Sequence, residues 1–359
     1  MPPADAWRPL IDEAYANGWF TNFGPLSRRL EAAFAERWGG RETRCVAASS
    51  ATAALAAPLI ANAIEGGVLL PAFTFPATLG AVKSAGATPL LIDVAPGDWT
   101  IAPAALDAAL RRSRAKAVIL GAPFGLRRDF APHVAVARRA GAIVIIDNAA
   151  GAGAERRALE EAGGVYEVYS LHATKPFAAG EGGMIFTNAA DEERLRAALN
   201  FGLVTAARQQ TPRWGINGKL SEIHAAIGLA ALDGFERRLA ERRALAGAYI
   251  KALSRFDGVR CETDAAAAPW QVFPALMPAR AGADALVDFA RARGMEVRRY
   301  YSPSLSALGV AETIDSCAVS EDLAARMCCF PVYAGASDAD RAMMVDIAAG
   351  AVEAGLAAL

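Results

Sequence analysis

The stretch Ala142-Ile143-Val144-Ile145-Ile146-Asp147 has the pattern of a buried strand that ends in an acidic residue. A short apolar run rich in β-branched residues is typical of the interior of a parallel sheet, where both faces are covered. Similar runs occur on both sides of this stretch. They are Cys45–Ala48, Gly67–Leu70, Pro89–Asp93, Ala117–Leu120, Tyr166–His172 and Gly183–Thr187.

Alanine-rich segments with helical periodicity separate most of these runs. Strands that alternate with helices indicate an α/β fold, with a mostly parallel sheet between layers of helices. Such sheets bind ligands beyond the carboxyl ends of their strands, so the loops after the strands are where we expect the chemistry. The predicted helices are Ala53–Ala63, Pro76–Ala85, Pro103–Arg112 and Ala131–Ala140.

The pattern changes in the last third of the chain. A strand at Gln271–Met277 is followed by a helix at Asp284–Arg293, a strand at Glu296–Tyr300 and a final helix from Asp338. We therefore expect a large domain with an N-terminal segment over residues 1–240. A smaller α+β domain should follow over residues 241–359.

Composition disfavours several classes of protein. Lys and Arg total 37 against 38 acidic residues, which gives no positive surface for nucleic acid or an anionic membrane. Five cysteines without CxxC spacing and three histidines disfavour a disulfide scaffold and a metal site. The sequence shows no secretion signal and no apolar run long enough to span a bilayer. We expect a cytoplasmic enzyme without a metal.

Several features have both a chemical and an ordinary interpretation. The junction Ser49–Thr52 could hold a phosphate at a helix start or simply cap that helix. Asp147 could pair with a pyridine nitrogen or belong to a turn, and Phe75 could stack on a ring or fill the core. Lys175 could be an amine nucleophile or an exposed loop lysine. Together, in this chain order, they predict a domain that binds pyridoxal phosphate (PLP).

The sequence resembles the DegT/DnrJ/StrS sugar-nucleotide aminotransferases, PLP enzymes of the aspartate-aminotransferase fold. The resemblance extends over nearly the whole chain. Asn200-Phe201-Gly202 and Gly215–Lys219 are most similar to enzymes that aminate C4 of a dTDP-4-keto-6-deoxyhexose, the dTDP-4-amino-4,6-dideoxyglucose transaminases. The other matching motifs are Thr21–Leu26, Ser50–Leu55, Pro71–Thr78, Ser170–Lys175, Glu181–Gly183, Gly215–Glu222, Arg298–Pro303 and Cys329–Tyr333.

The resemblance implies a role for particular residues. Lys175 would carry the cofactor as a Schiff base and move the proton during transfer, with L-glutamate as the usual amino donor. Asn217 would reach the phosphate of the neighbouring subunit, which implies a homodimer with active sites at the interface. The remaining cofactor contacts implied are Asp147 to the ring nitrogen, Phe75 to the ring face, and the Ala51 amide, Thr52 and Ser170 to the phosphate. The substrate side would include His172, Arg299 and Tyr301.

One position departs from the family pattern. Ala150 stands where the family has Gln or His, a side chain that can bond the phenolic oxygen of the cofactor. This departure keeps open a PLP-fold protein that binds a sugar nucleotide or has a regulatory role, with impaired catalysis. A PLP-dependent sugar dehydratase is a further alternative, although relatives with that activity have His where this chain has Lys175.

Overall fold

The computed structural model describes residues 1–203 and 214–359, and the predicted α/β architecture is confirmed. In this part of the chain, strands form a large mixed sheet of order β1-β7-β6-β5-β4-β2-β3-β10. All of its strands run in the same direction except β7, which is antiparallel to β1 and β6. The strands are β1 (Thr43–Ala48), β2 (Gly67–Pro71), β3 (Thr88–Ile92), β4 (Ala117–Gly121), β5 (Ile143–Asp147), β6 (Val165–Ser170), β7 (Gly183–Asn188), β8 (Arg260–Cys261), β9 (Val272–Leu276), β10 (Glu312–Thr313) and β11 (Met327–Pro331).

Helices cover both faces of the large sheet. Four of them match the four predicted ranges, with bounds that differ by no more than two residues. The helices are α1 (Ala4–Asn17), α2 (Pro25–Trp38), α3 (Ala51–Ala61), α4 (Pro76–Ser84), α5 (Pro103–Ser113), α6 (Ala131–Arg139), α7 (Ala189–Ala198), α8 (Glu222–Leu232), α9 (Phe235–Leu253), α10 (Arg280–Arg291), α11 (Ala318–Arg326) and α12 (Asp338–Ala357).

The continuous apolar strands are explained by burial of the sheet on both faces. Val68 and Leu70 of β2 pack in the same cluster as Leu55 of α3. Leu69, which points to the opposite face, packs with Leu106 of α5. Because successive side chains of a strand alternate between the faces, both sets of positions in such a strand are buried and mostly apolar.

A second, smaller sheet lies in the C-terminal part of the chain. Its order is β11-β9-β8, and its strand pairs are antiparallel. The helix predicted at Asp284–Arg293 begins earlier, at Arg280. The strand predicted at Glu296–Tyr300 is wrong, because only Arg298 pairs there, in a single bridge with Cys329. The backbone groups of Arg298 and Cys329 exchange both hydrogen bonds of that bridge, at 3.0 and 2.8 Å.

The two sheets are connected by more than one passage of the chain. Helix α9 runs through residue 240, and β10 returns from the C-terminal part to pair with β3. The Asp93 carboxylate, which follows β3, accepts hydrogen bonds from the N–H groups of Val319 and Ser320 at 2.9 and 2.8 Å. The domain boundary predicted at residue 240 falls inside α9, and the division into two domains stays a prediction. None of the described helices has the length and apolar content needed to cross a bilayer.

Glycine at position 183 is required by a close approach between β7 and the start of α3. A Cβ there would lie 2.5 Å from the carbonyl oxygen of Ser50 and 2.9 Å from the amide nitrogen of Ala51. Both are backbone atoms that cannot move without shifting α3. We expect Gly183→Ala to lower the free energy of unfolding by about 1–3 kcal/mol, measured by denaturant unfolding of the cofactor-free protein.

Gly80→Ala is the matched control. Gly80 lies inside α4, and a Cβ there would have no atom within 4 Å. Alanine is the better helix former, so this variant should gain up to about 1 kcal/mol. Equal unfolding midpoints for the two variants would contradict the explanation.

Candidate active site

A cavity of about 310 Å³ lies at the carboxyl ends of the parallel strands. The start of α3 and the loops after β2, β4, β5 and β6 form most of its wall. The other side is closed by Gln271 and Val272, at the start of β9, and by residues of the segment 298–301. This is the location expected for ligand binding in an open α/β sheet.

Two oppositely charged side chains, Asp147 and Lys175, face this cavity. Asp147 ends β5, and Lys175 lies in the loop after β6, the neighbouring strand. Burial raises the pKa of Asp147, whereas the hydrogen bond from Thr78, the positive charge of Lys175 and the bond from Ala149 lower it. The Thr78 hydroxyl donates to Asp147 Oδ2 at 2.6 Å. The carboxylate is therefore held in a fixed orientation at the strand end.

The amine of Lys175 is half-buried and hydrogen-bonded. Its Nζ donates to Gln271 Oε1 at 2.9 Å. Burial lowers the pKa of Lys175, while the negative charge of Asp147 raises it. The amine thus loses its proton at a lower pH than an exposed lysine would. A neutral amine is the form that attacks a carbonyl carbon, so the environment favours a nucleophile.

The start of α3 provides an anion site on the same wall. Ser50 is the N-cap residue, and its hydroxyl accepts a hydrogen bond from the Ala53 N–H at 3.1 Å. The N–H groups of the first helical turn have no partner within the helix, and the helix dipole is positive at this end. The Thr52 and Ser170 hydroxyls lie on the cavity wall beside them. This combination of donors suits a phosphate group.

A buried polar network fixes the loop that follows Asp147. The Asn148 side chain donates to Glu167 Oε1 at 2.8 Å, and the Tyr169 hydroxyl donates to the same oxygen at 2.6 Å. Arg156 donates to the other oxygen of Glu167 at 2.8 Å. Paired contacts of this kind stabilise buried charges and restrict the movement of the loop. Ala150, which belongs to this loop, lines the cavity.

A sequence model described as the DegT/DnrJ/EryC1/StrS aminotransferase family matches residues 6–348. The chain belongs to this family. Rv3402c of Mycobacterium tuberculosis is 32% identical over 351 residues, which cover 92% of this chain and 83% of that protein. GDP-perosamine synthase of Caulobacter vibrioides is 33% identical over 252 residues, which cover 69% of this chain and 67% of the synthase. The structure of DesI, determined in the presence of its TDP-sugar product, matches with a TM-score of 0.87 at 29% identity and covers 98% of this chain and 92% of DesI.

The protein is accordingly a PLP-dependent aminotransferase. The chemistry of the cavity fits this cofactor on independent grounds. A helix start with hydroxyl groups suits the phosphate, a half-buried carboxylate suits a protonated ring nitrogen, and a half-buried amine suits the aldehyde. These groups line one cavity.

The structure brings most of the residues named from the sequence to the cavity of this aminotransferase. Phe75 is half-exposed at the wall, with its ring edge-on to Tyr300 at a centroid distance of 6.4 Å. Burial raises the pKa of Tyr301, whose ring stacks on Phe124 at 5.5 Å. The predicted residues on the cavity wall are Ala51, Thr52, Phe75, Asp147, Ser170, His172, Lys175 and Tyr301.

Two of the named residues lie elsewhere. Arg299 does not line the cavity, because its guanidinium donates to Asp284 Oδ1 at 2.6 Å and to the carbonyl of Ala325. Its neighbour Arg298 is the arginine on the wall. Asn217 is exposed and also lies outside the cavity, and its side chain accepts a hydrogen bond from Lys219 at 2.8 Å. The expected contact of Asn217 with a second subunit stays a prediction.

Other residues at the site were not assigned from the sequence. Thr78 lies in a matching motif, but nothing in that motif marks its bond to Asp147. Gln271 contacts both Lys175 and Thr174, the residue before Lys175. Gln271 is distant from Lys175 along the chain and stands at the start of an ordinary apolar strand. The apolar periodicity that identifies β9 carries no signal for this contact.

The pH dependence of cofactor capture tests the electrostatics of the aminotransferase site. Capture requires the neutral amine of Lys175, so its rate should rise with pH as the ammonium loses its proton. Because the pKa is lowered, the rate should level off below pH 10.5, the ordinary lysine value. Asp147→Asn removes the charge that favours the ammonium, so its plateau should begin at still lower pH. Stopped-flow absorbance after mixing cofactor-free protein with PLP measures both, and a plateau at higher pH in Asp147→Asn would contradict the assignment.

Proposed function

We propose that this aminotransferase transfers an amino group from L-glutamate to C4 of a dTDP-linked 4-keto-6-deoxyhexose. The observation that carries the proposal is the half-buried Lys175 amine, hydrogen-bonded in the same cavity as Asp147 and the start of α3. The relatives support a sugar-nucleotide substrate, since one is named a GDP-perosamine synthase and another was determined with a TDP-sugar product. The two differ in nucleotide, so dTDP rests on the sequence motifs.

In this proposal each cavity residue has a specific task. When bound, PLP supplies the electron-withdrawing ring that allows an amino group to pass between two carbon atoms. Lys175 would hold the cofactor through Nζ and would move a proton between the donor and acceptor carbons. Asp147, oriented by Thr78, keeps the ring nitrogen protonated. The Ala51 amide and the hydroxyls of Thr52 and Ser170 hold the phosphate.

The remaining contacts of the proposal concern the ring face and the substrates. Phe75 covers one face of the cofactor ring and excludes water from it. His172 and Tyr301 contact substrate, and Arg298 replaces Arg299 as the nearby arginine because it is the one that lines the cavity. A guanidinium at that position suits the carboxylates of glutamate or the phosphates of a sugar nucleotide. We also propose that the enzyme works in the cytoplasm.

The most direct test is whether Lys175→Ala loses the first half of the reaction, in which the amino group of L-glutamate would be transferred to PLP. Purified protein loaded with PLP should show a near-visible absorption band that added L-glutamate bleaches, with release of 2-oxoglutarate. Lys175→Ala should lose both, by at least about a thousandfold in rate, because no other described group on the wall is an amine. Lys116→Ala, which removes an exposed lysine outside the cavity, is the control and should behave as wild type.

The acceptor is identified by supplying keto sugar nucleotides to the protein in its amine form. A dTDP-4-keto-6-deoxyhexose should restore the near-visible band and give a 4-amino sugar nucleotide. A faster response to the GDP or UDP compound would correct the nucleotide while leaving transamination intact. A band that glutamate bleaches but that no keto sugar restores would overturn the sugar substrate. In that case Ala150→Gln separates impaired catalysis from a different acceptor.

We propose further that the active unit is a homodimer. Several large apolar side chains near Asn217 in sequence are exposed, a condition that monomers rarely tolerate over an extended patch. Such residues are candidates for burial against a second copy of the chain. They are Phe201, Leu203, Trp214 and Ile223, with exposed fractions of 45%, 40%, 76% and 46%.

Complementation between two inactive variants tests whether Asn217 acts across the interface. In a mixed dimer of Lys175→Ala and Asn217→Ala, one site would contain both substitutions and the other neither. Random mixing should therefore restore about a quarter of the wild-type activity, because half of the dimers carry one intact site. If Asn217 acted within its own chain, both sites of the mixed dimer would be defective. Activity measured after joint refolding, compared with each variant alone, decides between the two arrangements.

A further inference from the structure

Gln271 contacts the catalytic amine from the second sheet. Among the described residues that line the cavity, it is the only one with a carboxamide side chain. Its Oε1 accepts from Lys175 Nζ at 2.9 Å, and its Nε2 donates to the Thr174 hydroxyl at 3.4 Å. One side chain thus joins β9 to the amine and to the residue before it.

The orientation of this carboxamide follows from the groups beyond it. The Thr174 N–H donates to His172 Nδ1 at 3.2 Å, so that nitrogen carries a lone pair and no proton. The Thr174 hydroxyl, 3.0 Å from the same nitrogen, therefore donates its own proton there. Its oxygen is left to accept from Gln271. A carboxamide that points its NH₂ group at Thr174 must turn its carbonyl oxygen toward Lys175.

The backbone at Gln271 is firmly held. The neighbouring Trp270 is fully buried, and its indole N–H donates to the carbonyl of Ala265 at 2.7 Å. The carbonyl of Trp270 accepts from Arg242 at 2.8 Å. The side chain of Gln271 therefore starts from a fixed point, and only its own torsions remain to be ordered when it binds the amine.

We propose that Gln271 is a positioning residue that holds the amine of Lys175 whenever that amine is not bonded to the cofactor. The Thr174–His172 pair fixes the orientation of its carboxamide. An amine held in this way would stay beside the reacting carbon atoms while it is free to carry a proton. The inference rests on the catalytic role proposed for Lys175, but not on the identity of the sugar.

Acetylation of individual lysines by acetic anhydride tests the contact without any turnover. The reagent acetylates a lysine only when its amine is neutral, and mass spectrometry of peptides reports each lysine separately. The chain has lysines only at positions 83, 116, 175, 219 and 251, and Lys83, Lys116 and Lys251 are exposed references. The protein is labelled both without cofactor and loaded with pyridoxamine phosphate, in which Lys175 is free.

Gln271→Met keeps the length of the side chain and removes the acceptor. Because a carbonyl acceptor stabilises the ammonium form, its loss should speed Lys175 acetylation at neutral pH by about fivefold relative to the reference lysines. The steady-state reaction should lose kcat with little change in the KM for glutamate, since Gln271 acts through Lys175. Acetylation of Lys175 at the wild-type rate would overturn the proposal.

Substitutions at Thr174 test the orienting contact on an exposed residue whose replacement leaves the core intact. Thr174→Val removes the hydroxyl, so Lys175 should be acetylated faster, in the same direction as Gln271→Met. Thr174→Ser keeps the hydroxyl and should retain the wild-type acetylation profile. Equal profiles for Val and Ser would refute the orienting role. A protein that accepted no keto sugar would still show these differences, so the result is independent of the proposed substrate.

Discussion

The site depends on one constraint, which is that two groups of opposite charge, Asp147 and Lys175, are both partly removed from water. Removing water from a carboxylate raises its pKa, and removing water from an amine lowers its pKa, so each group alone would tend to become neutral. Each charge reduces the cost of the other, and Thr78 and Gln271 supply the hydrogen bonds that burial requires. Strands β5 and β6 are neighbours in the sheet, so the fold itself places both groups at one edge.

Features that depend on neighbouring positions in the sequence could be predicted. The sequence predicts the parallel strands because both faces of the sheet are buried, which makes most of their residues apolar. The sequence predicts Asp147 and Lys175 because Asp147 ends such a strand and Lys175 lies in the loop after another, at the edge where ligands bind. The start of α3 was identified for the same reason, since Ser50 and Thr52 come directly after β1.

Features that depend on distant contacts could not be predicted from the sequence. Gln271 reaches Lys175 across 96 positions of the chain, and Thr78 reaches Asp147 across 69. Positions 298 and 299 are both arginine, so the sequence does not distinguish them. Adjacent residues of an extended segment point in opposite directions. The pairing of Arg298 with Cys329 decides which of the two faces the cavity. The strand predicted at Glu296–Tyr300 does not form, because an alternating sequence pattern does not by itself supply a neighbouring strand to pair with.

The path of the chain between the two sheets has a consequence for how this protein can be divided. The backbone leaves the large sheet through α9, builds β8 and β9, returns to pair β10 with β3, and leaves again to form β11. A fragment that stops before β10 would expose the edge of β3. A fragment that starts after α9 would contain β10 without β3, the strand that it pairs with. The two parts alternate along the chain, with three junctions between them, so recombination between relatives can exchange one part whole only through three crossovers and not as a single terminal block.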